Sequence, residues 1–398
     1  MKRRLSAALA ALVLTAALAA CQGDEPVPEK SAAPEEPSAS SQEAEAPPPA
    51  EEAEESPLLS VREYDIPRGF DCAGISGDKA IILNRTLAEC SSSFDEGNMV
   101  ELDLNSGETR KLGIWADLGM IQADGDTFYW VGMDEEPRYP GPFPEYVQAG
   151  IFKGDRDGNG ELVYRLSSWE DGQWKWKITQ LAMGDSVLVW LESWKFKDGG
   201  QGPDYHQRLQ TMDLETGKVA TVAEWDAHQY YHQLRVKDNR LIYWESIRNE
   251  ETSLHLYDLS AGEELLVLPV KAVSDADCSG DRLVWCPWNV PTLHIYDMAS
   301  GESTTCSIPE KADRVKLCGE NYLLYSTDNI GIRLSVRLLD LDTGEVVKER
   351  IEDSRQNRKK AQQVDIAVFD NDRNQAAYTT WFGEDETTLT VIRFLGES

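Results

Sequence analysis

The run Asp155-Arg156-Asp157-Gly158-Asn159-Gly160-Glu161 sets oxygen ligands at alternate positions around a sharp-turning glycine, as a calcium loop begins. It then fails as such a loop: the place for a bidentate acid falls on Leu166, and a shorter loop would need an acid where Val163 stands. An enlarged hairpin turn is the better reading. His228 and His232 would share a metal if the segment were helical. The repeat described below puts them entering a strand, where that spacing separates them by roughly 13 Å. No Gly-x-Ser-x-Gly nucleophile elbow occurs, and nothing in the spacing of 70 Asp and Glu selects a catalytic pair. The residues thus call for no cofactor, no metal site and no catalytic group. What stands out is aromatic side chains in polar surroundings: Tyr139, Phe143 and Tyr146; Trp169, Trp174 and Trp176; Trp194, Phe196 and Tyr205; Trp225, Tyr230 and Tyr231. Trp and Tyr offer stiff, amphipathic contact area suited to a peptide or sugar, or else they pack over one another to hold long loops down.

The elements that position these residues recur along the chain. An apolar strand ends in Asp, a turn follows with Gly, and Glu or Lys comes next. The pattern reads Leu102-Asp103 to Gly107-Glu108, Met212-Asp213 to Gly217-Lys218, Tyr257-Asp258 to Gly262-Glu263, Tyr296-Asp297 to Gly301-Glu302 and Leu339-Asp340 to Gly344-Glu345. The last three intervals are roughly 39 to 45 residues, the period of a four-stranded propeller blade. A second turn precedes each of these, at Gly77-Asp78, Gly125-Asp126, Gly184-Asp185, Asp238-Asn239, Gly280-Asp281, Gly319-Glu320 and Asn371-Asp372, which makes about seven units. His255 and His294 hold matching places in adjacent units, so repeat packing accounts for them better than ligation. The seventh unit lacks a last strand, and residues 60–67 have no earlier strands to join. That N-terminal strand is expected to complete the last blade and close the ring.

The fold class expected is therefore all-β, a propeller of four-stranded blades, most simply seven, over residues 58–398. Met212-Asp213-Leu214-Glu215-Thr216-Gly217-Lys218 in particular resembles the quinoprotein-like and TolB-like bacterial propeller repeats. That resemblance implies an architecture and not an activity. Within it, the longer connections share one face, where residues 134–146, 167–177, 193–206 and 224–232 of blades 2–4 gather the aromatics named above. Cys72 and Cys90 fall on one face of the same blade, so a disulfide between them is expected, with two buried thiols as the alternative. Cys278, Cys286, Cys306 and Cys318 fall on strands of neighbouring blades and do not pair by inspection.

Residues 1–20 read as an export signal: Lys2, Arg3 and Arg4 precede an Ala and Leu run too short to span a bilayer. The end of this run, Leu18-Ala19-Ala20-Cys21, resembles the lipobox of bacterial lipoproteins, which implies a diacylglycerol on the Cys21 thiol. Several acyl chains on one residue give stable anchoring. Residues 21–57 continue as a tether of Glu, Pro, Ala and Ser that cannot build a core. The formal charge of −31 argues against nucleic acid as a partner, because phosphate binding rests on Lys and Arg. A monomer held at the cell membrane, on its extracytoplasmic face, is expected. Its propeller would serve as a ligand-binding or protein-interaction scaffold for a peptide, protein or glycan. The alternative class is an envelope enzyme, hydrolase-like, with a carboxylate-lined or metal-bearing central funnel.

Overall fold

The computed structural model describes residues 59–67, 69–84, 97–117, 120–133, 148–166, 177–195, 205–227, 232–245, 251–319, 321–328, 333–353, 361–364, 368–369, 375–382 and 386–395. The first strand is β1 (Leu59–Ile66). Blade 1 is β2 (Phe70–Ser76), β3 (Lys79–Asn84), β4 (Met99–Asp103) and β5 (Thr109–Leu112). Blade 2 is β6 (Ile121–Asp124), β7 (Thr127–Met133), β8 (Gln148–Gly154) and β9 (Gly160–Arg165). Blade 3 is β10 (Lys177–Met183), β11 (Val187–Lys195), β12 (Tyr205–Asp213) and β13 (Val219–Ala227). Blade 4 is β14 (His232–Lys237), β15 (Arg240–Glu245), β16 (Glu251–Asp258) and β17 (Glu263–Lys271). Blade 5 is β18 (Val273–Ser279), β19 (Arg282–Pro287), β20 (Thr292–Asp297) and β21 (Glu302–Ser307). Blade 6 is β22 (Arg314–Cys318), β23 (Tyr322–Asp328), β24 (Arg333–Asp340) and β25 (Val346–Asp353). Blade 7 holds β26 (Ala361–Val364), β27 (Val368–Phe369), β28 (Gln375–Phe382) and β29 (Glu386–Phe394), and β1 is its outermost strand.

Each sheet is an antiparallel meander in chain order except the last, where β1 pairs with β29 from Leu59↔Phe394 to Ile66↔Thr387. This is the expected closure by the N-terminal strand. It removes the free edge β29 would otherwise present. The seven sheets make a seven-bladed β-propeller, and the seven apolar clusters show the ring directly, each joining two neighbouring blades. Ile75, Ala80, Ile82 and Leu102 of blade 1 pack with Ala377, Leu389 and Val391 of blade 7, and Leu59 packs with Leu324 and Val336 of blade 6. Second strands, covered on both faces, are accordingly the most apolar, as in Arg282–Pro287 with five buried residues in six. Outermost strands face water, as in Glu302–Ser307, and can be almost wholly polar.

Turn chemistry sets the repeat. In the turn after the third strand of blades 1, 3, 4, 5 and 6, the Asp103, Asp213, Asp258, Asp297 or Asp340 carboxylate accepts from the backbone amide three residues on. These bonds hold the Asp103, Asp213 and Asp297 carboxyls below the ordinary range. Gly107, Gly217, Gly262, Gly301 and Gly344 then take φ between 68 and 74°, which a side chain would resist. Between first and second strands, blade 4 uses Asp238 and Asn239 with φ of 50° and 57°, the two positive values of a type I′ hairpin. The Asp155 run is an enlarged hairpin turn between β8 and β9. Asp155 accepts from the Asp157 and Asn159 amides and from the Asn159 side chain, so the turn itself engages both of its carboxylate oxygens.

Candidate functional site

In blade 3 the strands run further than the sequence boundaries imply. Trp194 of β11 faces His206 of β12 across the sheet, and Tyr205 lies between Lys195 and Ala227. Trp194, Tyr205 and Trp225 therefore sit on paired strand ends at the long-connection face, where the register fixes them. Alternation sorts their neighbours. On the face toward blade 2, Trp190 donates to buried Glu192 at 2.8 Å, and Arg208 holds the other Glu192 oxygen from two nitrogens at 3.1 and 2.5 Å. Tyr164 of β9 lies tilted against Trp190 at 4.7 Å, and burial together with Glu192 pushes its phenol up. Toward the rim, the His206 ring has Asp226 at 2.7 Å from Nδ1 and Glu224 at 3.8 Å from Nε2.

The opposite face of blade 3 binds blade 4. Trp225 donates to Gln207 at 3.2 Å and stacks on Tyr243 with centroids 6.1 Å apart. Tyr243 stacks in turn on His255 at 4.5 Å, and Glu264 engages both, at 3.2 Å from the phenol and 2.6 Å from the imidazole. Trp285 and His294 repeat this cross-strand stack one blade on, at 5.0 Å. The matching histidines are thus packing elements of the repeat, as their places in the sequence imply. Trp225 likewise ties two blades together.

Of the residues expected to bind ligand, Tyr139, Phe143, Trp169, Trp174, Trp176, Tyr230 and Tyr231 lie outside the described residues, and so does Cys21. Trp194 and Tyr205 are half-buried at the rim, Trp194 on the face of His206 and Asp226 and Tyr205 on the opposite one. For the expected bridge, the Cys72 sulfur lies 3.5 Å from the Gly74 carbonyl and Cys90 is outside the described residues. Cys278, Cys286, Cys306 and Cys318 are free thiols, and burial is the main cause raising the pKa of each.

A second constellation lies on the innermost strands of blades 4 to 6. Arg235 and Lys237 on β14, Asp275 and Asp277 on β18, and Arg314 and Lys316 on β22 bring alternating charge to three successive blades. Arg235 reaches Asp275 at 3.0 Å and the Val315 carbonyl at 2.6 Å. Lys237 does the same one pleat further on, lying 3.5 Å from Asp277 and donating to the Leu317 carbonyl at 2.9 Å. The Val315 and Leu317 amides donate back to Asp275 at 2.9 Å and Asp277 at 2.7 Å. Each cation therefore spans blade 5 to bind the backbone of blade 6. The signal in the sequence is a spacing of one blade, Arg235 to Asp275 to Val315 and Lys237 to Asp277 to Leu317. It has meaning only once the units are aligned on their turns.

No family model matches this sequence, and no curated protein matches it. Among solved structures it is similar to an oligogalacturonate lyase from Vibrio parahaemolyticus, at 12% identity over 84% of this chain and 97% of that one, with a TM-score of 0.49. Puromycin hydrolase is similar at 14% identity over 79% of this chain and 51% of that chain, with a TM-score of 0.48. A chain of the mitotic checkpoint complex matches at 10% identity over 94% of this chain and 99% of its own, with a TM-score of 0.47.

Proposed function

We propose that this chain is a lipid-anchored extracytoplasmic protein whose propeller serves as a ligand-binding or protein-interaction scaffold, with the long connections of blades 2–4 as its binding face. The observation that carries the reading is the rim of blade 3, where paired strands end on Trp194 beside His206, Asp226 and Glu224 on one face and on Tyr205 on the other. An aromatic surface flanked by carboxylates and an imidazole suits a peptide or glycan, because stiff rings supply contact area and the polar groups fix orientation. The opposite face has short turns whose Asp side chains are already engaged by backbone amides, as at Asp103 and Asp213. An enzyme working through a carboxylate-lined funnel has less support, since Asp275 and one oxygen of Asp277 accept from backbone amides and both carboxylates lie within ion-pair distance of neighbouring cations. The anchor is supported by Cys21 at the end of the export signal and by the acidic tether that follows it.

Partner capture from native membranes tests the binding face. Trp174→Ala and Tyr230→Ala should each keep the parent melting temperature and weaken capture by more than about 1 kcal/mol, as hot-spot residues do. If both variants melt well below the parent and capture normally once folded, these rings hold the loops down and binding lies elsewhere.

A further inference from the structure

The axial charge ladder ends on a group it does not satisfy. Lys316, on the innermost strand of blade 6, is 1% exposed. Among the described residues its ammonium donates no hydrogen bond and forms no ion pair, and its leading charge partner, Asp277, lies beyond ion-pair distance. Asp277 is left incomplete on the same ladder: its Oδ2 accepts from the Leu317 amide, while its buried Oδ1 has no hydrogen-bond partner among the described residues and lies 3.6 Å from Arg235. Counting charge, Arg235, Lys237 and Lys316 face two carboxylates, and Arg314 adds a fourth cation 3.9 Å from Asp275. A chain with a formal charge of −31 thus holds, among the described residues of blades 4 to 6, a cationic excess on its innermost strands.

Among the described residues, the innermost strands of blades 1 to 3 do not answer that excess. Gln122 donates to the Leu181 carbonyl and Gln180 accepts from the Leu234 amide, so both amides are tied to neighbouring blades. Asp71 lies on β2, which adjoins blades 7 and 2 and not blade 6. An unpaired buried ammonium is costly, and burial pushes Lys316 down to about 8 although Asp277 opposes this. A bound anion relieves the cost. It must also satisfy an oxygen that only accepts, because an ionised carboxylate has no proton to donate.

We propose that Lys316 and Asp277 form an axial site for a small oxyanion that retains a proton, of the hydrogenphosphate type, its charged oxygen on the Lys316 ammonium and its hydroxyl donating to Asp277 Oδ1. Such a ligand closes both gaps and most of the charge excess together. Sulfate, with the same shape and no proton near neutral pH, meets Asp277 with a lone pair and is rejected.

The test is thermal unfolding and titration calorimetry of the full chain near pH 7, in phosphate, sulfate and chloride at matched ionic strength. Phosphate should raise the midpoint by about 2 °C or more over sulfate and saturate as one site. Lys316→Met replaces the ammonium with an apolar chain of similar length and should fold, because removing a buried charge this way is often neutral or stabilising. It should abolish the phosphate response, whereas Lys111→Met on the exposed face of blade 1 should keep it. An equal response to sulfate and phosphate in the parent, or a phosphate response that survives Lys316→Met, would overturn the proposal.

Discussion

A chain that begins at Gly69 should lose more than about 5 kcal/mol of stability relative to one that begins at Pro57, or should aggregate. The eight residues of β1 pair along the whole of β29. They also bury Leu59 and Ile66 at 7% and 5% exposure, and each such side chain is worth about 1.5–3 kcal/mol. Arg62 donates to the Leu104 carbonyl at 3.1 Å and Tyr64 donates to the same oxygen, so β1 also fastens blade 7 to blade 1. Without β1, β29 becomes an open edge with Val391 and Ile392 beside it. Urea midpoints of the two chains decide the matter, with Ile66→Ala as a milder variant that should cost about 2–5 kcal/mol. Equal midpoints for the chains beginning at Pro57 and Gly69 would reject closure by β1.

Asp277→Ala should cost about 3–5 kcal/mol, the range for breaking a buried ion pair from one side. The carboxylate is fully buried, and its loss strands Lys237, itself 5% exposed, together with the Leu317 amide. Asp277→Asn keeps an acceptor for that amide and should cost less. The charge also has a pH signature. Burial alone would raise this carboxyl, but Lys237, Arg235 and Lys316 together hold it below its ordinary value of 3.8. Its contribution is therefore present above that ordinary value and is lost as pH falls through the lower folded value. The parent should give up this stability in acid while Asp277→Asn does not. A loss below about 1 kcal/mol for Asp277→Ala, in the same urea unfolding measurement, would show that the ladder does not hold blades 4 to 6 together.

What could be read from the sequence was local. The Asp and Gly turns announce themselves because an Asx bond and a positive φ need particular residues a few positions apart, and seven such units imply the ring. The missing last strand of blade 7 and the spare strand at residue 60 imply the closure for the same reason. The ends of β11 and β12 were not legible, because Ser193, Trp194, Tyr205 and His206 carry no alternation that separates a strand end from a loop. The axial ladder was hidden more deeply. Arg235, Asp275 and Val315 meet only because successive blades turn about one axis, so their spacing of one blade looks like scattered surface charge until the sheets are in register. In blade 7 the described innermost residues, β26 and β27, both pair with β28.

How the protein is held decides where its binding face can act. Labelling with a fatty-acid analogue, followed by fractionation of the parent and Cys21→Ser, tests this most directly. The parent should incorporate the label and partition with membranes until detergent is added. Cys21→Ser should take up no label and should either move to the soluble exported fraction or keep its signal uncleaved. Mature Cys21→Ser protein that stays membrane-bound and detergent-dependent would contradict lipid anchoring at this residue.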